Sequence, residues 1–279
     1  MWSCCPAVAA DALAAAVTAL VGAGYARGVR RAWAAAGPGR VVRTGEAASF
    51  AAGLVALAVA LGPLDASADT SLTAHMAQHV VLLVVAAPLL ALGAPLSALL
   101  WALPERRRLG LRPVGRRLER SRSRHGLRWM TVAIVLQGAA MWLWHAPGLY
   151  DAALGAPTLH GLEHLCYLAT AVLFWWSLAG AGHRTRMGAG LVVLFVAALP
   201  GTALGVALAL AGRPWYPVYA RGDAAGALAD QQMAGVVMWA VAGAAYVIGA
   251  AGLVVAWLSA VERLSPARPP GTLEGSVSR

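Results

Sequence analysis

Long apolar runs alternate with short polar or arginine-rich stretches along the whole 279-residue chain. A helix that crosses a bilayer needs about 20 mainly apolar residues. Seven segments are apolar enough, of which the second is the shortest: 7–25, 47–61, 74–101, 127–145, 159–179, 187–211 and 230–258. The pattern predicts an all-α fold, a polytopic transmembrane helical bundle of about seven spans.

Prolines and glycines add detail to two of these spans. Pro88 lies in the third and Pro200 in the sixth, and proline within a helix predicts a kink. Gly201 and Gly205 form the small-xxx-small spacing in the sixth span, which predicts close helix packing.

Composition supports the membrane interpretation. Hydrophobic residues make up 59% of the chain and charged residues 12%, about half the charged fraction of ordinary soluble domains. The net charge of +10 is therefore attributed to membrane orientation, and no nucleic-acid partner is expected. No basic residue precedes the first apolar run and no clear cleavage site follows it, so this run is expected to be a retained helix and not a signal peptide.

The arginines predict the orientation of the bundle. All 22 basic residues are arginine, and all but Arg213 and Arg221 follow the first, third, fifth or seventh span. By the positive-inside rule, the N-terminus is outside and the C-terminus cytoplasmic. Residues 1–279 are expected to form a single integral membrane domain. Its longest connection, 103–128, is interpreted as a basic, solvated cytoplasmic loop whose arginines could touch anionic lipid head groups.

The three cysteines do not predict a disulfide framework. Cys166 lies in an apolar run and is expected to be a small buried hydrophobe. Cys4 and Cys5 are adjacent near the terminus. The pair is interpreted as part of an exposed terminus, with binding of a soft metal as the alternative.

Five of the seven histidines are predicted to lie at one depth, on the outer side of the membrane. His75 and His79 begin the third span, His145 ends the fourth, and His160 and His164 begin the fifth. Each pair has the i, i+4 spacing that places both side chains on one helix face. The other two histidines, His125 and His183, lie among cytoplasmic arginines and are assigned no function.

Further polar residues are predicted at the same level. Gln78 and Glu163 each stand three residues after the first histidine of a pair, where they could orient a histidine or bind metal directly. Asp230 and Gln231 open the seventh span, with a helix cap as the equal alternative. Polar groups in a membrane are costly and usually functional. The predicted metal ligands are His75, His79, His145, His160, Glu163, His164, Asp230 and Gln231.

Two kinds of neighbour affect the choice of metal. Imidazole with thioether suits copper, whereas imidazole with carboxylate suits zinc or iron. Copper is therefore predicted, with zinc as the alternative, although Met76, Met141 and Met233 are each better explained by packing. Trp142, Trp144 and Tyr150 are interpreted as an interfacial aromatic belt.

Two other functions fit parts of the pattern. His160-Gly-Leu-Glu-His164 matches the H-x-x-E-H motif of inverted zinc peptidases, with His145 as a third ligand, which would make the chain an intramembrane metal-dependent hydrolase. Histidines from two helices could instead bind haem.

Four motifs in order resemble the bacterial CtaG family, the assembly factors of caa-type cytochrome c oxidase. They are His75-Met-Ala-Gln-His79, Trp144-His145-Ala-Pro147 followed by Tyr150, His160-Gly-Leu-Glu-His164, and Asp230-Gln231-Gln232-Met233-Ala-Gly235. The resemblance covers about 72–258. It implies a non-enzymatic role in oxidase maturation at the bacterial cell membrane, plausibly delivering or inserting copper, with oxidase subunits and a copper donor protein as partners. The eight predicted metal ligands all fall at matching positions.

Overall fold

The computed structural model describes residues 5–179, 187–220 and 222–262, and within these ranges the regular structure is helical with no strand. Seven helices are long and apolar enough to span a membrane, which confirms the predicted fold class. Three further helices lie between them in the sequence. The order is α1 (Cys5–Ala36), α2 (Thr44–Ala68), α3 (Leu72–Leu92), α4 (Pro95–Ala102), α5 (Glu105–Arg124), α6 (Gly126–Trp144), α7 (Pro147–Gly155), α8 (Pro157–Ala179), α9 (Met187–Ala209) and α10 (Ala224–Val236, a π-helical turn, then Ala242–Glu262). The three further helices are α4, α5 and α7.

Three predicted spans end at the wrong place, among them the second, which was expected to end at residue 61 but continues as α2 to Ala68. The first was expected to end at residue 25, but α1 continues to Ala36 and carries arginines assigned to the connection. Arginine is a good helix former with a long side chain that reaches the interface, so charge does not end a helix. The third was expected to reach residue 101, but α3 stops at Leu92 because Ala94 is left-handed (φ 49°) and Pro95 starts α4.

The predicted basic loop is also wrong in its structure, because most of it is helix α5. Two of its arginines contact tryptophans of the bundle. The Arg108 guanidinium lies 3.9 Å from the ring centroid of Trp101, and that of Arg122 lies 4.6 Å from the ring centroid of Trp176. Arg122 also donates a hydrogen bond to the Trp176 carbonyl oxygen. Cation–π contacts of this kind hold a basic helix against the end of a bundle.

α3 is the central helix. Within its most apolar window, 67% of the residues are buried inside the bundle, more than in any other span. A π-helical turn, Val81–Ala86, follows directly after its histidine pair, and Pro88 stands at the start of the α-helical segment after that turn. Since π-helical turns often lie at functional sites, the irregular backbone after the histidine pair makes this part of α3 a candidate for a functional site.

The glycine spacing in the sixth span does mark close packing. A Cβ added to Gly205 would lie 2.8 Å from the Gly235 carbonyl oxygen, and one added to Gly235 would lie 2.4 Å from that of Gly205. Backbone therefore meets backbone where α9 crosses α10. A Cβ on Gly201 would instead meet the Met141 sulfur at 3.4 Å.

Some sequence predictions fall on residues outside the described ranges: those for Cys4, His183, Arg184, Arg186, Arg221 and the arginines after residue 262. Cys5 is the first residue of α1. Cys166 is half-buried in α8, less enclosed than expected.

Orientation in the membrane remains a prediction, and α6 offers a direct test. Gly115 in α5 precedes this span and Gly155 at the end of α7 follows it. The arginine distribution predicts that a reporter fused at Gly115 is active in the cytoplasm and one fused at Gly155 is active outside. Two reporters in the same compartment would contradict both the span and the common outer depth of the histidines.

Candidate metal centre

The structure brings all five predicted histidines together where α3, α6 and α8 converge. Within α3, His75 Nε2 and His79 Nε2 are 3.0 Å apart. The rings of His160 and His164 have centroids 4.3 Å apart. Contacts between helices link the pairs, with centroid distances of 5.1 Å for His75–His160, 5.4 Å for His79–His164 and 6.0 Å for His79–His145.

Two overlapping groups have the spacing that a metal ion requires. The ligand atoms of His75, His79 and Glu163 lie within 4.8 Å of one another, and so do those of His75, His160 and His164. His160 is half-buried, and the other four residues are buried. An ion with nitrogen and oxygen ligands would fit the group that contains Glu163, and an ion with nitrogen ligands alone would fit the group of three histidines.

Unpaired polar atoms show that the group suits a cation. Glu163 is 0% exposed, and its Oε1 lies 3.7 Å from His79 Nε2. Among the residues that the structure describes, neither Glu163 oxygen has a hydrogen-bond partner, and the same holds for His79 Nδ1 and His164 Nε2. Since a buried polar group without a partner is destabilising by several kcal/mol, a bound metal ion would relieve this cost.

Tyrosines hold the histidine rings, and sequence reasoning missed this role. The Tyr150 hydroxyl lies 3.0 Å from His75 Nδ1, and the Tyr219 hydroxyl lies 3.2 Å from that of Tyr150. Tyr219 donates to the Ala68 carbonyl oxygen at 2.7 Å. Burial raises the pKa of Tyr150 well above its ordinary value, so the hydroxyl keeps its proton. Hydrogen bonds of this kind orient a metal-binding imidazole.

A second set of hydroxyl contacts surrounds His145. The Tyr167 hydroxyl lies 3.0 Å from His145 Nδ1, and Tyr216 donates to the His145 carbonyl oxygen at 3.0 Å. Burial also raises the pKa of Tyr216. His145 lies between the end of α6 and the start of α7, outside both helices, and these two hydroxyls help to fix its position.

The predicted aromatic belt is wrong for two of its three members. Trp144 is 5% exposed and Tyr150 1% exposed, so both belong to the core. Trp142 is 49% exposed and faces outward. A residue at a helix end faces either the bundle or the lipid, and aromatic character alone does not distinguish the two.

Asp230 and Gln231 lie apart from the histidine cluster. Asp230 Oδ2 accepts from the Leu72 amide at 2.6 Å, and Oδ1 accepts from the Ser71 hydroxyl at 3.0 Å and the Thr73 amide at 3.3 Å. Asp230 therefore caps α3 from α10, whereas its own helix is capped by Asp223. The carboxylate fixes the start of the helix that carries His75.

Gln231 and Gln78 also make structural contacts. Gln231 accepts from the Trp215 amide at 2.6 Å and donates to the Arg213 carbonyl oxygen at 3.3 Å, which holds the loop before α10. Gln78 donates to the Ala60 carbonyl oxygen at 3.0 Å and to Asp65. The interpretation that Gln78 orients a histidine is therefore wrong, because its amide faces α2.

The three methionines are placed differently from one another. Met233 is 54% exposed on α10, away from the core. Met141 is buried and lines a cavity with His79 and His145. Met76 is fully buried, and its sulfur lies 3.2 Å from His145 Nε2.

Comparison with known families identifies the family of the chain. The sequence profile of the cytochrome c oxidase caa3 assembly factor family matches residues 23–260. The chain belongs to this family. No curated protein and no solved structure matches it significantly.

The family match confirms the resemblance and extends it. The profile of the caa3 oxidase assembly factors begins in α1 and includes α2, two spans in which the four motifs have no part. It covers the helices near which the histidines lie, together with Asp230 and the connection before α10 that contains Tyr216 and Tyr219. In this assembly factor the match therefore includes both the cluster and the residues that hold it.

The capping contact predicts how Asp230 acts in the assembly factor. Asp230→Asn should lower the free energy of unfolding by about 1–3 kcal/mol, because charge-assisted hydrogen bonds to the start of α3 are lost. Copper bound at saturation should stay the same. The matched control is Asp223→Asn at the exposed cap of α10, where asparagine is as good a cap. Thermal unfolding in detergent and metal analysis would measure both effects. Loss of the metal with unchanged stability would instead make Asp230 a ligand.

Proposed function

We propose that this oxidase assembly factor binds copper in its histidine cluster and passes it on during maturation of cytochrome c oxidase. The observation that carries the proposal is the buried group of His75, His79 and Glu163, whose ligand atoms lie within 4.8 Å of one another. Its Glu163 carboxylate has no hydrogen-bond partner among the described residues.

The donor set supports copper as the cargo. Imidazole binds copper, zinc and iron, and a thioether nearby favours copper in its reduced state. Met76 supplies that thioether beside His145. Zinc remains the alternative metal, because a group of histidines with one carboxylate also suits it.

The role follows from family and from position. Assembly factors act on another protein, so the expected partners are oxidase subunits and a copper donor protein, in a bacterial cell membrane. The predicted orientation puts the cluster at the outer ends of the helices, where a donor could reach it. His160 is half-buried, so an ion that arrives from outside could contact this candidate ligand first.

The alternatives are less well supported. A haem macrocycle would have to separate imidazoles that are in ring contact at 4.3–6.0 Å. A hydrolase is compatible with the H-x-x-E-H motif in α8, but the family match favours assembly.

Two measurements test the proposal. Protein purified under reducing conditions should contain copper in preference to zinc by elemental analysis. A strain without the protein should lose cytochrome oxidase activity while transcripts of the oxidase subunits stay unchanged, and added copper should restore part of the activity by mass action. Copper-free protein, or a normal oxidase in the deleted strain, would contradict the proposal.

A further inference from the structure

A buried thioether meets a buried imidazole beside the histidine cluster. Met76 Sδ lies 3.2 Å from His145 Nε2, and the two side chains are 0% and 3% exposed. Met76 belongs to α3 and His145 follows α6, so this contact joins two spans. Packing alone, the role predicted for Met76, does not account for a sulfur directed at a ring nitrogen.

The hydrogen bonds of His145 fix the position of its ring proton. Nδ1 lies 2.8 Å from the Met141 carbonyl oxygen, which can only accept. The Tyr167 hydroxyl near the same nitrogen can either donate or accept, so it adds no constraint. A neutral imidazole has one ring proton, which the network assigns to Nδ1. Nε2 then directs a lone pair at the Met76 sulfur, itself an acceptor, and no hydrogen lies between the two atoms.

We infer that Met76 and His145 form a separate binding position for Cu(I) beside the histidine–glutamate group. Thioether sulfur selects Cu(I) over zinc and other harder ions. With the bond lengths of zinc to nitrogen and to sulfur, about 2.0 Å and about 2.3 Å, as a guide, the observed spacing of 3.2 Å corresponds to an angle of roughly 96° at the metal. A tetrahedral angle needs a spacing of about 3.5 Å, which requires the two side chains to move by only a few tenths of an ångström.

His79 connects this position to the group described above. Its Nε2 faces His75 at 3.0 Å and Glu163 at 3.7 Å. Its Nδ1 is buried without a hydrogen-bond partner in the described part of the chain, and its ring centroid is 6.0 Å from that of His145. Imidazole can bind metal through either nitrogen. Copper could therefore move between the two positions while it stays bound to His79. This inference rests on the proposed function.

X-ray absorption of the purified full chain, saturated with Cu(I) under reducing conditions, tests the sulfur ligand directly. The wild-type spectrum should contain a sulfur scatterer at about 2.3 Å. Met76→Leu, which keeps the volume, should remove that scatterer and lower Cu(I) affinity at least about tenfold in a competition titration. Zn(II) affinity should not change. The matched control is Met141→Leu, which changes a buried methionine of the adjoining cavity and should keep the sulfur signal.

The outcomes separate this inference from the function on which it rests. Copper bound by nitrogen and oxygen alone, or a sulfur signal that survives Met76→Leu, overturns the separate Cu(I) position and leaves the proposed function standing. A wild-type protein that binds no Cu(I) overturns both. Because the wild-type spectrum needs no variant, a folding defect in Met76→Leu does not prevent the test.

Discussion

Copper bound by the histidine–glutamate group should be lost when His75 and His79 are both replaced by leucine, leaving at most the Cu(I) held by Met76 and His145. His75 belongs to both groups of ligand atoms and His79 to one of them, so the double variant takes a ligand from each group. Losing even an outer partner of a metal site costs about 10–100-fold in affinity, and losing two direct ligands should cost more. Elemental analysis and a Cu(I) competition titration measure the effect.

The bundle should remain folded in this variant. Leucine has about the volume of histidine, and α3 also packs through its own apolar side chains, such as Leu72, Leu83 and Ala87, in the buried core. The matched control is His125→Leu, at the exposed end of α5, which should leave copper content unchanged. Equal copper in the double variant and the wild type would eliminate the histidine cluster as the metal site, whatever the oxidase phenotype.

Oxidase activity in cells that carry Glu163→Gln should fall in proportion to copper occupancy. The substitution keeps the shape of a side chain that is 0% exposed and replaces one carboxyl oxygen near His79 with an amide group, which binds metal more weakly. In an assembly factor, Glu163 orients a histidine or adds a ligand, so the loss should be graded, about 10–100-fold in affinity. Added copper should restore activity, because higher concentration compensates for weaker binding.

The hydrolase alternative gives a different result for the same variant. If Glu163 were a general base, its replacement would lower turnover by about 10²–10⁴-fold while the histidines kept the metal. Copper occupancy and oxidase activity must therefore be measured on the same cells. Glu119→Gln, the same change in α5, serves as the control and should alter neither quantity. Complete loss of function at full occupancy would favour the enzyme over the assembly factor.

The spans were predictable because a helix needs an apolar run of a certain length to cross a bilayer. The length of that run does not determine where the helix ends. α1 continues past its apolar run through Arg27 and Arg31, since long basic side chains reach the interface from within a helix. The break between α3 and α4 has a local signal, Pro95 after Gly93, which the uniform hydrophobicity of this segment concealed. The number and approximate positions of the spans were thus predictable from the sequence, whereas the helix ends depended on backbone chemistry.

The grouping of the histidines could be predicted from the sequence, because helical spacing predicts the helix face and loop charge predicts the end of the helix on which each one lies. The residues that hold the histidines in place could not be predicted. Tyr216 and Tyr219 lie in a connection without periodicity, so no pattern predicts which hydroxyl meets which ring. Asp230 was recognisable as either a site residue or a cap, but only the fold reveals that it caps α3, a helix more than 150 residues away in the sequence.

The cap that α10 provides for α3 has a consequence for the order of events in biosynthesis. A chain is synthesised from its N-terminus, so the helices with the histidines exist before residue 230 leaves the ribosome. Until α10 arrives, the first amides of α3 lack their carboxylate partner, and His75 lies only one turn beyond them. The Tyr219 hydroxyl, also supplied by the late part of the chain, is equally absent. The nascent protein therefore acquires a firmly held ligand set only after α10 has been synthesised, so under the proposed function copper would bind once α10 has been inserted.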